Sequence, residues 1–296
     1  MNCYPIYYLR KAEGNRPQLW KVDAEGTWGL TPLHTAKAFP TTPDRQIWDI
    51  NAESGWRKEQ FVEPKLAPGQ FYQRIARPFA FDSAFGCPLT EADHRYIAEA
   101  VGQLEVFCRD LDAICRTVHP AKENYSAFGH DIRNLLILAC TEIEAHWKGI
   151  LRLNGRKGKS TTDYVALLPI MKLNDYELRF NRYSWLGQFS PFQNWGNKET
   201  ATADLLWYAA YNGVKHNREQ EFHSASLEQA FNAVAACAIL LVAQFGLQGL
   251  GYIDQTQIGL LSNFGFTELP QWDLEDHYID WFSESEGEFQ AVEYPW

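Results

Sequence analysis

The sequence predicts a mainly α protein. The expected fold is an antiparallel helical bundle with a small N-terminal β-containing lobe before it and an acidic C-terminal tail after it. Three observations carry that expectation. Two long stretches, Ile97 to Cys115 and Ile132 to Leu151, place apolar residues at spacings of three and four. A helix–polar corner–helix unit follows over about residues 202–245. Residues 1 to about 85 show no sustained helical period. The division that results is 1–85 for the lobe, 86–248 for the bundle and 249–296 for the tail.

In the lobe, Ile6–Leu9 and Gln18–Val22 read as short strands, with turn signals at Glu25-Gly26, Pro32, Pro40 and Pro43. The first helix starts at Thr90, with Asp93 three residues on as an N-cap pair. It carries Ile97, Val101, Leu104, Cys108, Leu111 and Cys115, and Pro120 stops it. The second starts near Ser126, carries Ile132, Leu135, Leu136, Ala139, Ile143, Trp147, Ile150 and Leu151, and ends at Gly155. A third, short helix covers about Thr162 to Met171. Residues 173–200 read as an aromatic loop. The fourth helix runs from about Thr202 to His216. The fifth starts at Ser226, with Gln229 completing a capping box, and reaches about Phe245.

Composition narrows the function classes. The formal charge of −10 argues against a general nucleic-acid binder, but it is unevenly placed. Residues 219–296 contain no Lys or Arg and 13 acidic residues, so every basic side chain lies at or before Arg218. A polyanion would meet the first part of the chain and avoid the tail. The six cysteines include no Cys-x-x-Cys pair, which argues against a cysteine zinc site and for a reduced, cytoplasmic protein. The first residues lack the charged start and apolar run of a signal peptide. Ala233 to Ala243, the most apolar stretch, is shorter than a bilayer span, so no membrane association is expected. Neither a cofactor nor a metal is expected.

The segment Tyr211 to His223 gathers Lys215, His216, Arg218 and His223. In one unbroken helix Arg218 and His223 would point about 140° apart. They converge only if the helix breaks between them or a second chain contributes, and the capping signal at Ser226 predicts a break near 219–225. Arginine supplies permanent bidentate charge for a phosphate, and histidine supplies a proton near neutral pH. The same residues also suit a helix C-terminus through the dipole alone.

The pattern helix–Tyr-Asn-x-Val-Lys-His-x-Arg–short turn–apolar helix resembles the last two helices of the HEPN superfamily. These are small, often dimeric α-bundles of toxins, abortive-infection proteins and antiviral defence effectors. The resemblance covers about residues 89–248, and its specific part is the thirteen-residue segment. It implies a metal-independent endoribonuclease. Arg218 would stabilise the phosphate charge, His223 would act as acid or base, and Lys215 and His216 would assist. The RNA 2′-hydroxyl would attack its own phosphate across the cleft of a homodimer. It also implies an inward glutamate that orients the arginine, assigned to Glu142. Partners implied are RNA, a second copy and a partner protein of a defence or toxin–antitoxin system. Glu219 departs from the pattern, because the family usually has Asn, Asp or His there. Inactive relatives leave a non-catalytic binding or scaffold protein as the alternative.

Glu142 and His146 are also i, i+4 neighbours that suit a paired helix face or a metal, without the second copy a di-iron site needs. Lys148, Arg152, Arg156, Lys157 and Lys159 form a basic cluster suited to an RNA backbone or to an exposed loop. The run Gly155–Thr161 mimics a phosphate loop but has Leu153 where glycine is needed and follows a helix. The aromatics between 183 and 195 suit base stacking or cover for a bundle end. The tail is expected to pack partly on the bundle and, on one hypothesis, to compete with RNA for the basic region.

Overall fold

The computed structural model describes residues 5–12, 15–31, 34–39, 47–50, 52–81, 84–251, 262–280 and 289–296. Pro32, Pro40, Pro43, Cys3 and much of the acidic tail lie outside these. The structure is 50% helical and 17% strand, with several small sheets. It is therefore a mixed α/β protein, which corrects the mainly α bundle expected from sequence. The reason is that several strands, Glu177–Phe180 with Phe264–Glu268 and Gln70–Tyr72 with Gln290–Val292 among them, pair over long chain separations. Their short segments have no apolar alternation of their own to announce them.

Two compact units account for the chain. The first comprises 1–72, 77–85 and 272–292; the second comprises 73–76, 86–271 and 293–296.

In the first unit, strands β1 (Ile6–Ala12), β2 (Asn15–Val22), β3 (Thr27–Thr31), β4 (His34–Phe39) and β5 (Phe61–Val62) form one antiparallel sheet ordered β4-β3-β2-β1-β5. Leu9 lies opposite Leu19, and Leu19 opposite Leu30. This row of leucines packs with Ala80, Phe81, Leu274 and Ile279 as the unit's core. On the other face Tyr8 lies opposite Trp20 and Trp20 opposite Gly29. A Cβ at Gly29 would stand in ordinary contact with the Trp20 ring, at 3.4 Å, so the indole lies against this glycine. Asp23 ties the β2–β3 turn by accepting from the Glu25 and Gly26 amides and from Trp28 Nε1. Helix α1 (Ile47–Ile50) places Trp48 edge-on to Tyr8. The tail enters this unit through strand Gln290–Val292, which runs parallel to β6 (Gln70–Tyr72).

In the second unit, α2 (Glu91–Cys115) opens with the expected capping box of Thr90 and Asp93. Helix α3 (His130–Leu153) ends before Gly155, whose φ of +73° suits glycine. The short helices α4 (Thr161–Tyr164) and α5 (Leu167–Met171) follow. Helix α6 (Leu206–His216) and the single turn α7 (Arg218–Glu221) lead to α8 (Leu227–Gly251), which kinks at Gly246 (φ +71°). Leu227–Leu247 is long and apolar enough to cross a membrane, but 89% of its most apolar window is buried, against α2, α3 and α6. The aromatic stretch 173–200 is core rather than open loop. Phe192, Trp195, Trp207, Tyr208 and Tyr164 surround the fully buried Trp147. Within that stretch, strand Glu177–Phe180 pairs antiparallel with strand Phe264–Glu268 of the tail.

Candidate functional site

The polar corner is built by successive interruptions of one helical path. Helix α6 stops at Asn217, which leaves helical geometry (φ −140°, ψ 61°) while its N–H still donates to the Gly213 carbonyl at 2.8 Å. The chain turns once as α7, passes through a 3₁₀ turn at Phe222–Ser224 and enters α8. The break thus begins one residue before Arg218 and resumes after Glu221. Gly213 permits the turn to fold back, since a Cβ there would meet the Glu221 side chain at 3.2 Å. Glu221 accepts from Ser224 Oγ at 2.8 Å, which braces the turn. The first amides of α8 find carbonyls outside the helix: Leu227 N–H donates to Ala127 at 2.8 Å and Glu228 N–H to Tyr125 at 3.1 Å. Phe222 packs against Phe128 on the same loop and against His130 at the start of α3.

This scaffold treats the candidate residues unequally. Lys215 is tied back: Nζ donates to Tyr211 Oη at 2.8 Å and lies 4.8 Å from that ring. Its hydrogen bond to Tyr211 raises its pKa. His216, Arg218, Glu219 and His223 are all exposed, and their side chains make no hydrogen bond or ion pair among the described residues. Arg218 and His223 stand on consecutive short turns rather than on one helix. Glu219 is exposed and does not pair with Arg218.

The glutamate bonded to α6 is Glu144, not Glu142. Glu144 Oε1 accepts from Tyr208 Oη at 2.8 Å and from Tyr211 Oη at 3.2 Å, and its Oε2 accepts from Lys148 at 2.8 Å. Burial works against its charge, but the bonds from Lys148 and Tyr208 prevail and lower its pKa. Burial, with Glu144 as neighbour, raises the Tyr208 phenol. Glu142 instead lies beside His146, with Oε1 3.7 Å from Nε2. His146 is 1% exposed, and its Nδ1 meets Tyr96 Oη at 2.7 Å and Gln244 Nε2 at 3.0 Å. Burial, with Arg74 nearby, pushes its pKa down to about 3, so this imidazole is neutral near pH 7. The i, i+4 pair is therefore not an ion pair at that pH. Among the described residues, no group of three or more His, Cys, Asp or Glu side chains converges as a metal site.

The basic cluster is also divided. Lys148 belongs to the Glu144 network. Arg156 stacks over Trp296 at 4.7 Å, and the Trp296 indole donates to the Asn154 carbonyl. Arg152, Lys157 and Lys159 are exposed. Glu144 and its two tyrosines were missed in the sequence because their bonds join helices more than sixty residues apart. The available signal was a helical one: Tyr208, Tyr211 and Lys215 recur at spacings of three and four on α6.

No family model, characterised protein or solved structure matches the chain.

Proposed function

We propose that the corner from Tyr211 to His223 acts on RNA and cleaves it without a metal. The observation that carries this reading is the contrast within the corner. Lys215, Arg218 and His223 are all exposed, but Lys215 is bonded to Tyr211, which in turn bonds Glu144, whereas Arg218 and His223 are unpaired among the described residues and stand on adjacent turns. An exposed arginine with no carboxylate partner keeps its donors for a phosphate. In the proposed reaction the RNA 2′-oxygen attacks phosphorus and the bond to the 5′-oxygen breaks. The products are a 2′,3′-cyclic phosphate and a 5′-hydroxyl. Arg218 would neutralise charge on the phosphoryl oxygens, and His223 would relay the proton that leaves one oxygen and reaches the other. A second copy of the chain would supply the facing half of the cleft.

A second reading is binding without cleavage. The cavity beside the corner, about 330 Å³, is lined by Leu206, Ala209, Ala210, Glu221, Ser224 and Gln229, without Arg218 or His223. Cleavage of RNA in EDTA by wild type, Arg218→Ala and His223→Ala separates the readings. The cleaving reading expects activity in wild type and loss in both variants. RNA binding with no cleavage supports the second reading, and activity equal in all three proteins removes the first.

A further inference from the structure

A polar cavity of about 380 Å³ in the second unit shares no residue with the corner. Arg109, Asp112, Cys115, Arg116, Arg182 and Tyr183 line it. The helical repeat accounts for one wall, because positions 109, 112, 115 and 116 recur at spacings of three and four along the end of α2. The 3₁₀ segment Asn181–Leu186 supplies the other. Asp112 is already engaged: it accepts from Tyr183 Oη at 2.6 Å and from the Arg182 guanidinium. Arg109 has only a long contact of 3.9 Å to Glu105, and the Arg116 side chain has no ion-pair partner among the described residues. The lining thus carries three guanidiniums and one carboxylate, in a chain whose net charge is −10.

The local structure does not require this excess of positive charge. The carbonyls of Ala113 and Ile114, at the end of α2, already accept from the Arg116, Thr117 and Val118 amides. A guanidinium presents a fork of donors that matches a phosphate. The cavity is larger than a bare phosphate needs and falls within the range of small-molecule sites, about 300–1,000 Å³. An aromatic edge adjoins it. Tyr183 meets Trp185 edge-on at 5.8 Å. Trp185 is 59% exposed, stacks on His119 and is held by an indole bond to the Pro120 carbonyl at 2.7 Å. An exposed indole held in place in this way can stack on a planar ring.

We propose that this cavity binds a small phosphate monoester carrying a planar ring, of the nucleoside monophosphate class. Arg109 and Arg116 take the phosphate, the Arg182–Asp112–Tyr183 set forms the floor, and Trp185 receives the ring. The site binds and does no covalent chemistry. Cys115 in its wall is a reporter: the other cysteines among the described residues are buried, and Cys115 is partly open.

The experiment is alkylation of Cys115 in the full chain at mildly alkaline pH and fixed ionic strength, followed by peptide mapping. The probes are AMP, inorganic phosphate and adenosine. A ligand at about twice its Kd slows labelling about threefold, and Kd values near 1 mM are readable this way. AMP is expected to protect more than phosphate, and adenosine least. The surface variant Arg109→Gln/Arg116→Gln should lose the protection by AMP while keeping the wild-type melting curve. Trp185→Ala should lower protection by AMP to that by phosphate. The proposal is overturned if AMP gives no protection, if phosphate or adenosine alone matches AMP on the wild type, or if the double arginine variant is protected as wild type is.

Discussion

The Tyr211 hydroxyl stands between Lys215 and Glu144, accepting from the ammonium at 2.8 Å and donating to the carboxylate at 3.2 Å. This bond pair joins the end of α6 to the middle of α3, just before the chain leaves the helix at Asn217. Glu144 serves three donors at once, so its removal strands more than one polar group. Glu144→Ala leaves the buried Tyr208 hydroxyl without its acceptor. The expected cost is about 1–3 kcal/mol by urea denaturation. Tyr208→Phe, which removes donor and need together, should cost less. Equal losses in the two variants would mean that packing, not the hydrogen bond, sets the energy.

His146 makes a prediction about acid stability. Its folded pKa is lowered from 6.5 to about 3, chiefly by burial. The unfolded chain therefore binds a proton that the folded chain refuses. The stability is fully present above pH 6.5 and is lost as pH falls from there towards about 3. Proton NMR should show no titration of this imidazole through neutral pH. His146→Gln should flatten the fall in stability across that window, and a slope identical to wild type would refute the assignment.

Asp23 acts in a lower window. Burial opposes its charge, but bonds from Lys21, Trp28 and the Glu25 amide hold its pKa at about 2 against an ordinary 3.8. Its contribution is present above 3.8 and is lost as pH falls through about 2. Asp23→Asn should remove that part of the acid dependence and weaken the β2–β3 turn. Circular dichroism melts between these pH values, compared with those of His146→Gln, would show whether the two groups titrate in separate windows.

What could be read from the sequence divides along one physical line. Local signals were legible. The Thr90–Asp93 cap, the leucine and isoleucine stripes of α2 and α3, and the apolar start of α8 at Leu227 each state their structure within a few residues. Features that depend on distant partners were not. Glu177–Phe180 forms its ladder with Phe264–Glu268, more than eighty residues on, and neither alternates strongly enough to announce a strand. The same limit shaped the site. The break in the Tyr211–His223 segment was expected from the Ser226 cap, but the first interruption is at Asn217, where no glycine or proline marks it. The resemblance points to Glu142 as the inward glutamate, whereas the bonds to α6 are made by Glu144, through tyrosines more than sixty residues away in the chain.

The tail also changes which experiment is informative about competition with RNA. Removing everything after about residue 250 is the obvious truncation. It would take away Leu274 and Ile279, which pack with Leu9, Leu19 and Leu30 in the core of the first unit. It would also remove Tyr278, which is fully buried and whose hydroxyl bonds the Tyr72 carbonyl at 3.2 Å. Loss of several buried apolar side chains, each contributing about 1.5–3 kcal/mol, is comparable to the whole stability of a small domain. The truncated chain is therefore expected to lose the sheet signal in circular dichroism and to become protease-sensitive between residues 5 and 72. Any gain in RNA affinity by that protein would reflect unfolding. Trp296→Ala avoids this, because it leaves that core intact while it uncovers Arg156, frees the Asn154 carbonyl and removes the ring contact to Tyr294. If the tail competes with RNA, this variant should bind a short RNA more tightly with an unchanged melting curve. Unchanged affinity would leave Trp296 as a packing residue of the Asn154–Arg156 turn.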